Sequence, residues 1–143
     1  MDENKFYTLK GYTRKDPPNI TPSMEDYLEM ICRYHQDNTG VRISFLANKL
    51  HVRPSSASKM VANLRDAGLV SFEHYGVVYP TALGQEKGQA LLERHALLHE
   101  FFCLLNHADN QLEQVEKIEH FILPETLENL RRLVDKMKKH EPF

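Results

Sequence analysis

Residues 53–70 read RPSSASKMVANLRDAGLV, a pattern that predicts a short helix with a polar, basic face at its beginning. Pro54 suits the first turn of a helix and Gly68 suits its end, so the two bracket the helix. A recognition helix needs small donors and cations in its first turns, because these must reach base edges and phosphates in the major groove. The alternative is a capped surface helix with a solvated face. The candidate DNA contacts are Arg53, Pro54, Ser55, Ser56, Ser58 and Lys59, opposite an apolar stripe of Met60, Val61 and Leu64.

The segments on either side extend this helix into a winged helix-turn-helix. A second short helix, FLANKL at residues 45–50, precedes it, with Ser44 as the predicted N-cap. Two short helices joined by a tight turn are typical of a helix-turn-helix. Downstream, LVSFEHYGVVYP at residues 69–80 has strand-forming residues around a possible turn at Tyr75 and Gly76, which predicts a hairpin, or wing. His74 and Tyr75 would lie near its tip, where they either contact DNA or only cover the core.

The remaining sequence is mostly helical. Thr21 and Pro22 predict the start of a helix that runs to about Gln36, and Thr81 predicts the N-cap of a long helix that runs to about Asn106. Two more helices are predicted at roughly 112–122 and 124–139. The fold class is therefore mostly α with a small β-wing. We expect an irregular N-terminal arm at 1–20, a winged helix-turn-helix at 21–80 and a helical domain at 81–143.

Composition and charge narrow the functional classes. The formal net charge of -2 over 143 residues argues against a protein that coats nucleic acid indiscriminately. A local basic patch is nevertheless present, because residues 38–65 hold five Lys and Arg and no Asp or Glu. Cys32 and Cys103 form no CxxC pair, so no thiolate zinc site is predicted and each is expected to be a small core residue. No stretch predicts a signal peptide or membrane span, so a cytoplasmic protein is expected.

Six carboxylates and histidines in three distant segments form a candidate metal site. Offsets of three and four residues place the acids of TPSMEDYLEM, and those of VEKIEHF, on one helical face each. Oxygen-rich sites with imidazole and no thiolate suit hard or borderline divalent ions such as manganese and ferrous iron. Acids that converge repel one another unless a cation neutralises them. Taken singly, each is better explained without a metal, the acids as solvated surface and His95 as an ordinary satisfied histidine. The six are Asp26, Glu29, His95, Glu116, Glu119 and His120.

With RPSSASKMV and ERHALLHEFF, these motifs resemble, over residues 21–140, the manganese-responsive branch of the diphtheria toxin repressor family of metal-dependent transcriptional regulators. The resemblance implies a winged helix-turn-helix followed by a helical metal-binding and dimerisation domain. Metal would drive a homodimer to bind double-stranded operator DNA and repress genes of metal-ion homeostasis. All six candidate positions carry the residue types of the family's binuclear manganese site, which implies two Mn²⁺ per subunit, with Fe²⁺ as the alternative.

Comparison with the iron-responsive branch supports the manganese assignment. That branch usually has Met where Asp26 stands and Cys where Glu116 stands. It often carries an extra C-terminal domain with an SH3-like fold, which is not expected in this chain. Residues 1–20 extend beyond the short start usual in the manganese branch, so this arm is expected to add contacts that the resemblance does not predict.

Two other functional classes fit parts of the pattern. A carboxylate-bridged dinuclear metalloenzyme could use the same ligands in a helical bundle. The acid-free basic stretch and the lack of a nucleophile or phosphate-loop motif argue against that class, so no enzymatic activity is expected. A winged-helix regulator that responds to a non-metal ligand is the second alternative. Tight divalent metal binding would separate the repressor from this second class.

Overall fold

The computed structural model describes residues 7–15, 20–36, 38–73 and 76–139. Within these ranges the protein is mostly helical with one small antiparallel sheet, as the sequence predicts. A short 3-10 turn, Glu119–Phe121, follows the sixth helix. The helices are α1 (Leu9–Lys15), α2 (Pro22–Tyr34), α3 (Ile43–Lys49), α4 (Pro54–Asp66), α5 (Ala82–Asn106), α6 (Leu112–Ile118) and α7 (Pro124–Lys139), and the strands are β1 (Val41–Arg42), β2 (Val70–Glu73) and β3 (Val77–Pro80).

The predicted hairpin is confirmed, and the sheet contains one more strand than predicted. β2 pairs antiparallel with β3, with Phe72 opposite Val78, and β3 also pairs with β1. β1 has only two residues, too few for an alternating pattern to show in the sequence. His74 and Tyr75, the predicted wing contacts, lie outside the described residues.

Two threonine caps begin the long helices as predicted. The Thr21 hydroxyl accepts a hydrogen bond from the Met24 N–H at 3.1 Å, and the Thr81 hydroxyl accepts one from the Gly84 N–H at 3.0 Å. Each bond satisfies a backbone donor that the first turn leaves unpaired. The prediction for Ser44 is wrong, because α3 begins at Ile43 with Arg42 in the cap position. β1 ends at Arg42 and leads directly into the helix, which leaves no separate capping residue.

The prediction that residues 1–20 are irregular is wrong for α1. Thr8 starts this helix, and its hydroxyl accepts a hydrogen bond from the Gly11 N–H at 3.3 Å. The Tyr7 and Tyr12 rings lie 5.1 Å apart in an edge-on arrangement. The apolar residues of this segment are too scattered to show helical periodicity, so the sequence pattern did not predict the helix. The local cap and the ring contact stabilise it.

The main core belongs to the helix-turn-helix and includes α2. Leu28 and Ile31 of α2 are fully buried together with Leu46, Val61 and Leu64. α2 therefore moves with the DNA-binding part of the chain, although its acids face the second part. None of the described helices is long and apolar enough to cross a membrane.

Two glycines let α5 approach the DNA-binding part closely. A Cβ on Gly84 would overlap the backbone carbonyl of Leu69, and a Cβ on Gly88 would overlap the Sγ of Cys32. Cys32 is half-buried, and burial raises the pKa of its thiol to about 11. Cys103 is also half-buried and free, so both cysteines are partly, not fully, in the core. The tight contact sets the distance between α2 and α5, on which the candidate site depends.

Candidate metal centre

Three parts of the fold bring the six predicted side chains together. α2 supplies Asp26 and Glu29, which are three residues apart and therefore share a face. α5 supplies His95. The last turn of α6 and the following 3-10 turn supply Glu116, Glu119 and His120. Their convergence agrees with the sequence analysis, and their role as metal ligands stays a prediction.

The six side chains form two overlapping groups. In the first group, Asp26, Glu119 and His120 each offer a ligand atom, and these atoms lie within 4.8 Å of one another. The Nε2 of His120 lies 2.8 Å from Oδ1 of Asp26 and 3.9 Å from Oε1 of Glu119. Two carboxylates and one imidazole nitrogen thus face a common point.

The second group is built around His95. Glu29, His95 and Glu119 offer ligand atoms within the same limit of 4.8 Å. The Nδ1 of His95 lies 2.7 Å from Oε2 of Glu119 and 3.7 Å from Oε1 of Glu29. Oε1 of Glu116 lies 3.5 Å from the same nitrogen. The side chain of Glu116 is 54% exposed, so this acid borders the second group from the solvent side.

Glu119 is the residue that the two groups share. It is fully buried, and its two oxygens face different groups: Oε2 lies nearest His95 and Oε1 faces His120. Oε1 is buried without a hydrogen-bond partner among the described residues. An unpaired, buried carboxylate oxygen is costly unless a cation or donor satisfies it. The donor set of carboxylates and imidazoles therefore fits hard or borderline divalent ions.

Burial and the crowding of charged groups raise the pKa of four side chains of the site. Burial, and then the charge of Glu119, raise the pKa of Glu29 to about 7. The same two causes raise the pKa of Glu116. The hydrogen bond that His95 donates to Glu119 raises the pKa of His95. Hydrogen bonds to Asp26 and then Glu25 raise the pKa of His120 to about 10. Protons thus offset part of the acidic charge, as a cation would.

Two residues that the sequence analysis missed, Glu25 and Arg94, contact the Nδ1 nitrogen of His120, whereas Nε2 faces Asp26. Oε1 of Glu25 lies 2.8 Å from Nδ1 of His120, and both terminal nitrogens of Arg94 lie 3.4 Å from the Glu25 carboxylate. Arg94 is only 9% exposed. A carboxylate on one imidazole nitrogen fixes the tautomer and leaves the other nitrogen for a ligand. Both residues adjoin predicted ligands in sequence, but only the fold shows that they meet.

The DNA-binding candidates share one exposed surface. Ala57, Val61 and Leu64 are fully buried and anchor α4 in the core. Met60, expected in the same buried stripe, is half-buried. This arrangement leaves the polar face of the first two turns free to meet a ligand. The exposed residues on that face are Arg53, Pro54, Ser55, Ser56, Ser58 and Lys59.

Comparison with protein families gives two adjoining matches. Residues 19–78 match the family described as "Iron dependent repressor, N-terminal DNA binding domain". Residues 81–142 match the family described as "Iron dependent repressor, metal binding and dimerisation domain". The first match ends within β3 and the second begins one residue before α5, and together they span the DNA-binding face and the six clustered side chains.

Individual proteins show the same likeness. The chain is 35% identical over 122 residues to the "HTH-type transcriptional regulator MntR" of Shouchella clausii (strain KSM-K16), and the alignment covers 85% of each chain. It is 35% identical over 121 residues to the protein of the same name from Listeria welshimeri serovar 6b, covering 84% of this chain and 85% of that protein.

Solved structures share the fold. The manganese regulator SloR superposes with a TM-score of 0.70 at 27% identity, covering 81% of this chain and 55% of that one. A structure described as "Manganese-dependent transcriptional repressor complex with manganese" superposes with a TM-score of 0.67 at 26% identity, covering 78% and 52%. The chain thus spans about half the length of these two solved chains and most of the length of the two MntR relatives.

Proposed function

Because the chain belongs to the iron-dependent repressor family, we propose that manganese, bound as two ions per subunit, switches it onto operator DNA. The protein is a metal-dependent DNA-binding transcriptional repressor similar to the manganese regulators, and it is not an enzyme. A metalloenzyme, which the ligand types alone left open, is thereby excluded. DNA and a second copy of the chain are its partners, since the matched domains are a DNA-binding and a dimerisation domain. We place its action in the cytoplasm, where operator DNA lies.

The shared position of Glu119 is the observation that carries the proposal. Its two oxygens face the two overlapping groups of acids and imidazoles, so this one carboxylate could serve both of two bound cations. The proposed ligands contain no thiolate, which favours manganese, with ferrous iron as the alternative metal. Bound metal would supply positive charge at the point where the acids converge. The proposed ligands are Asp26, Glu29, His95, Glu116, Glu119 and His120.

The position of α2 explains how the site would control DNA binding. Its apolar face lies in the helix-turn-helix core, whereas Asp26 faces His120 in the 3-10 turn after α6 and Glu29 faces His95 on α5. A site that joins these elements restricts the angle between the DNA-binding part and the dimerisation part. In a twofold dimer that angle sets the distance between recognition helices, which must match the half-site spacing. Operator affinity then rises with the fraction of time spent at the right spacing.

The dimer is proposed to form mainly through the last two helices. Leu112, Leu123 and Leu133 lie on or beside α6 and α7, and their exposed fractions are 45%, 65% and 47%. Exposed apolar surface of this kind is typical of a face that another protein covers. We expect Leu123→Asp combined with Leu133→Asp to convert the dimer to monomer in sedimentation experiments, since four charges would enter the twofold interface. Leu83→Asp is the control, at a leucine that is 45% exposed on α5. If Leu83→Asp converted the dimer to monomer and the double variant did not, the interface would not lie on the last two helices.

A DNA-binding titration tests the switch itself. Binding to candidate promoter fragments is measured for the metal-free protein and after addition of manganese, ferrous iron or zinc, at one fixed salt concentration. We expect manganese to tighten binding by tenfold to a hundredfold, which corresponds to about 1.4 to 3 kcal/mol of coupling. Metal binding that leaves the affinity for every fragment unchanged would contradict the proposal.

A variant of the same experiment tests the recognition helix. Lys59→Ala is expected to weaken binding of the manganese-loaded protein by about tenfold and to reduce its salt dependence, because a phosphate contact is lost. Its manganese affinity should stay unchanged. Lys136→Ala, an exposed lysine on α7, is the matched control. If Lys59→Ala lost manganese affinity instead, its assigned role would be wrong.

A further inference from the structure

Arg33 lies at the edge of the candidate centre, one helical turn after Glu29 on α2. Its Nη2 donates a hydrogen bond to Oε1 of Glu29 at 3.1 Å. The side chain of Arg33 is 44% exposed, whereas that of Glu29 is only 9% exposed. The guanidinium therefore reaches inward from solvent to a buried carboxylate.

The oxygen that Arg33 contacts is also the one that the second group presents. Oε1 of Glu29 lies 3.7 Å from Nδ1 of His95, the nitrogen that faces Glu119 and Glu116. A divalent ion held between Glu29 and His95 would share this oxygen with a positively charged guanidinium. Like charges at such short range repel, and the repulsion is strongest where the surroundings exclude water.

We propose that Arg33 is an internal counter-ion, which occupies the Glu29 side of the centre in the metal-free protein and weakens metal binding to the second group. Arg33 thereby sets the metal concentration at which this group fills. The inference rests on the proposed function, since it requires that the six side chains bind manganese.

The surroundings of Arg33 allow it to be displaced by the ion. An open cleft of about 510 Å³ lies beside the centre, and its lining includes Asp26, Glu29, Arg33, Lys49, His95 and Glu116. The half-exposed side chain can turn into this cleft when a divalent ion takes its place. A partly exposed ion pair between residues four apart on a helix is also weak, so the arginine lowers the affinity without blocking the site.

The first group has no cation on its carboxylate oxygens that matches Arg33. Among the residues that the structure describes, no lysine or arginine forms an ion pair with Asp26, whose Oδ1 lies 2.8 Å from Nε2 of His120. Nη2 of Arg94 lies 3.2 Å from the other imidazole nitrogen, Nδ1, which Glu25 also contacts, so this guanidinium does not share an oxygen with the first group. The two groups are therefore unequal, and we expect the second to bind its ion more weakly than the first.

Calorimetric titration with manganese chloride tests this inequality. Arg33→Gln keeps a long polar side chain but removes the charge, and it is expected to tighten the weaker of two binding steps by about two- to fivefold while leaving the stronger step unchanged. Arg33→Lys keeps the charge and should bind manganese like the unaltered protein. Arg132→Gln is the matched control, because Arg132 pairs with Glu128 at 3.9 Å in the same four-residue spacing on α7, away from the cluster.

The outcomes distinguish failure of the counter-ion from failure of the proposed function. Tighter binding in Arg33→Gln alone supports the counter-ion. Equal or weaker binding in Arg33→Gln, with normal binding in the unaltered chain, overturns the counter-ion. Weaker binding would in addition assign Arg33 the opposite role of orienting Glu29. If the unaltered chain binds no manganese, the proposed function fails and the counter-ion fails with it. Circular dichroism of each metal-free variant confirms that the compared proteins are folded.

Discussion

Replacing Glu119 by glutamine is expected to lower manganese affinity by at least about a hundredfold, more than the loss of a residue that only supports a ligand. Glu119 is the only one of the six candidate residues whose oxygens face both groups, so the change removes a charged oxygen from each. Glutamine has nearly the same volume, which keeps the buried packing intact. Calorimetry with manganese measures the loss, and DNA binding should no longer respond to the metal.

Glu113→Gln is the control for this experiment. Glu113 lies in the first turn of α6, but its side chain is 88% exposed and it pairs with Lys117 at 3.8 Å. It should leave manganese binding unchanged. If Glu119→Gln retained two tight manganese ions, the shared position of Glu119 would be structural only and the two-ion proposal would be wrong.

Gly84→Ala is expected to destabilise the fold by about 3 kcal/mol, the upper part of the range for inserting an atom into a packed region. Alanine normally stabilises a helix relative to glycine by about 1 kcal/mol, so the expected sign is reversed here. The reason is that a Cβ at this position would overlap the Leu69 carbonyl, which is backbone and cannot turn away. Urea unfolding measures the change in the free energy of unfolding.

Gln85→Ala, at the exposed neighbouring position of α5, is the control and should change stability by less than about 0.5 kcal/mol. If the urea midpoint of Gly84→Ala were equal to or above that of the unaltered protein, α5 would not pack this closely against the DNA-binding part. Because α5 also carries His95, the same variant is expected to weaken the response of DNA binding to manganese.

Short-range patterns account for most of what could be predicted. The Thr21 and Thr81 caps lie within three residues of the N–H groups that they accept from, so each helix start is encoded locally. The spacing of the acids on α2 and at the end of α6 likewise depends on one helical turn. Ser44 was misassigned because β1, which displaces the cap, exists only through its pairing with β3.

The chain by itself therefore determined helices α2 to α7, the hairpin, the polar face of α4 and the six residue types that could bind metal. Only the tertiary structure decided how these parts combine: that Glu119 is shared between two groups, that Glu25 and Arg94 support His120, and that Arg33 contacts Glu29 at the oxygen facing His95. The physical reason is the range of the interactions. The contact of Glu25 with His120 joins residues 95 positions apart, and such pairs form only after apolar burial and the glycine contacts of α5 bring the helices together.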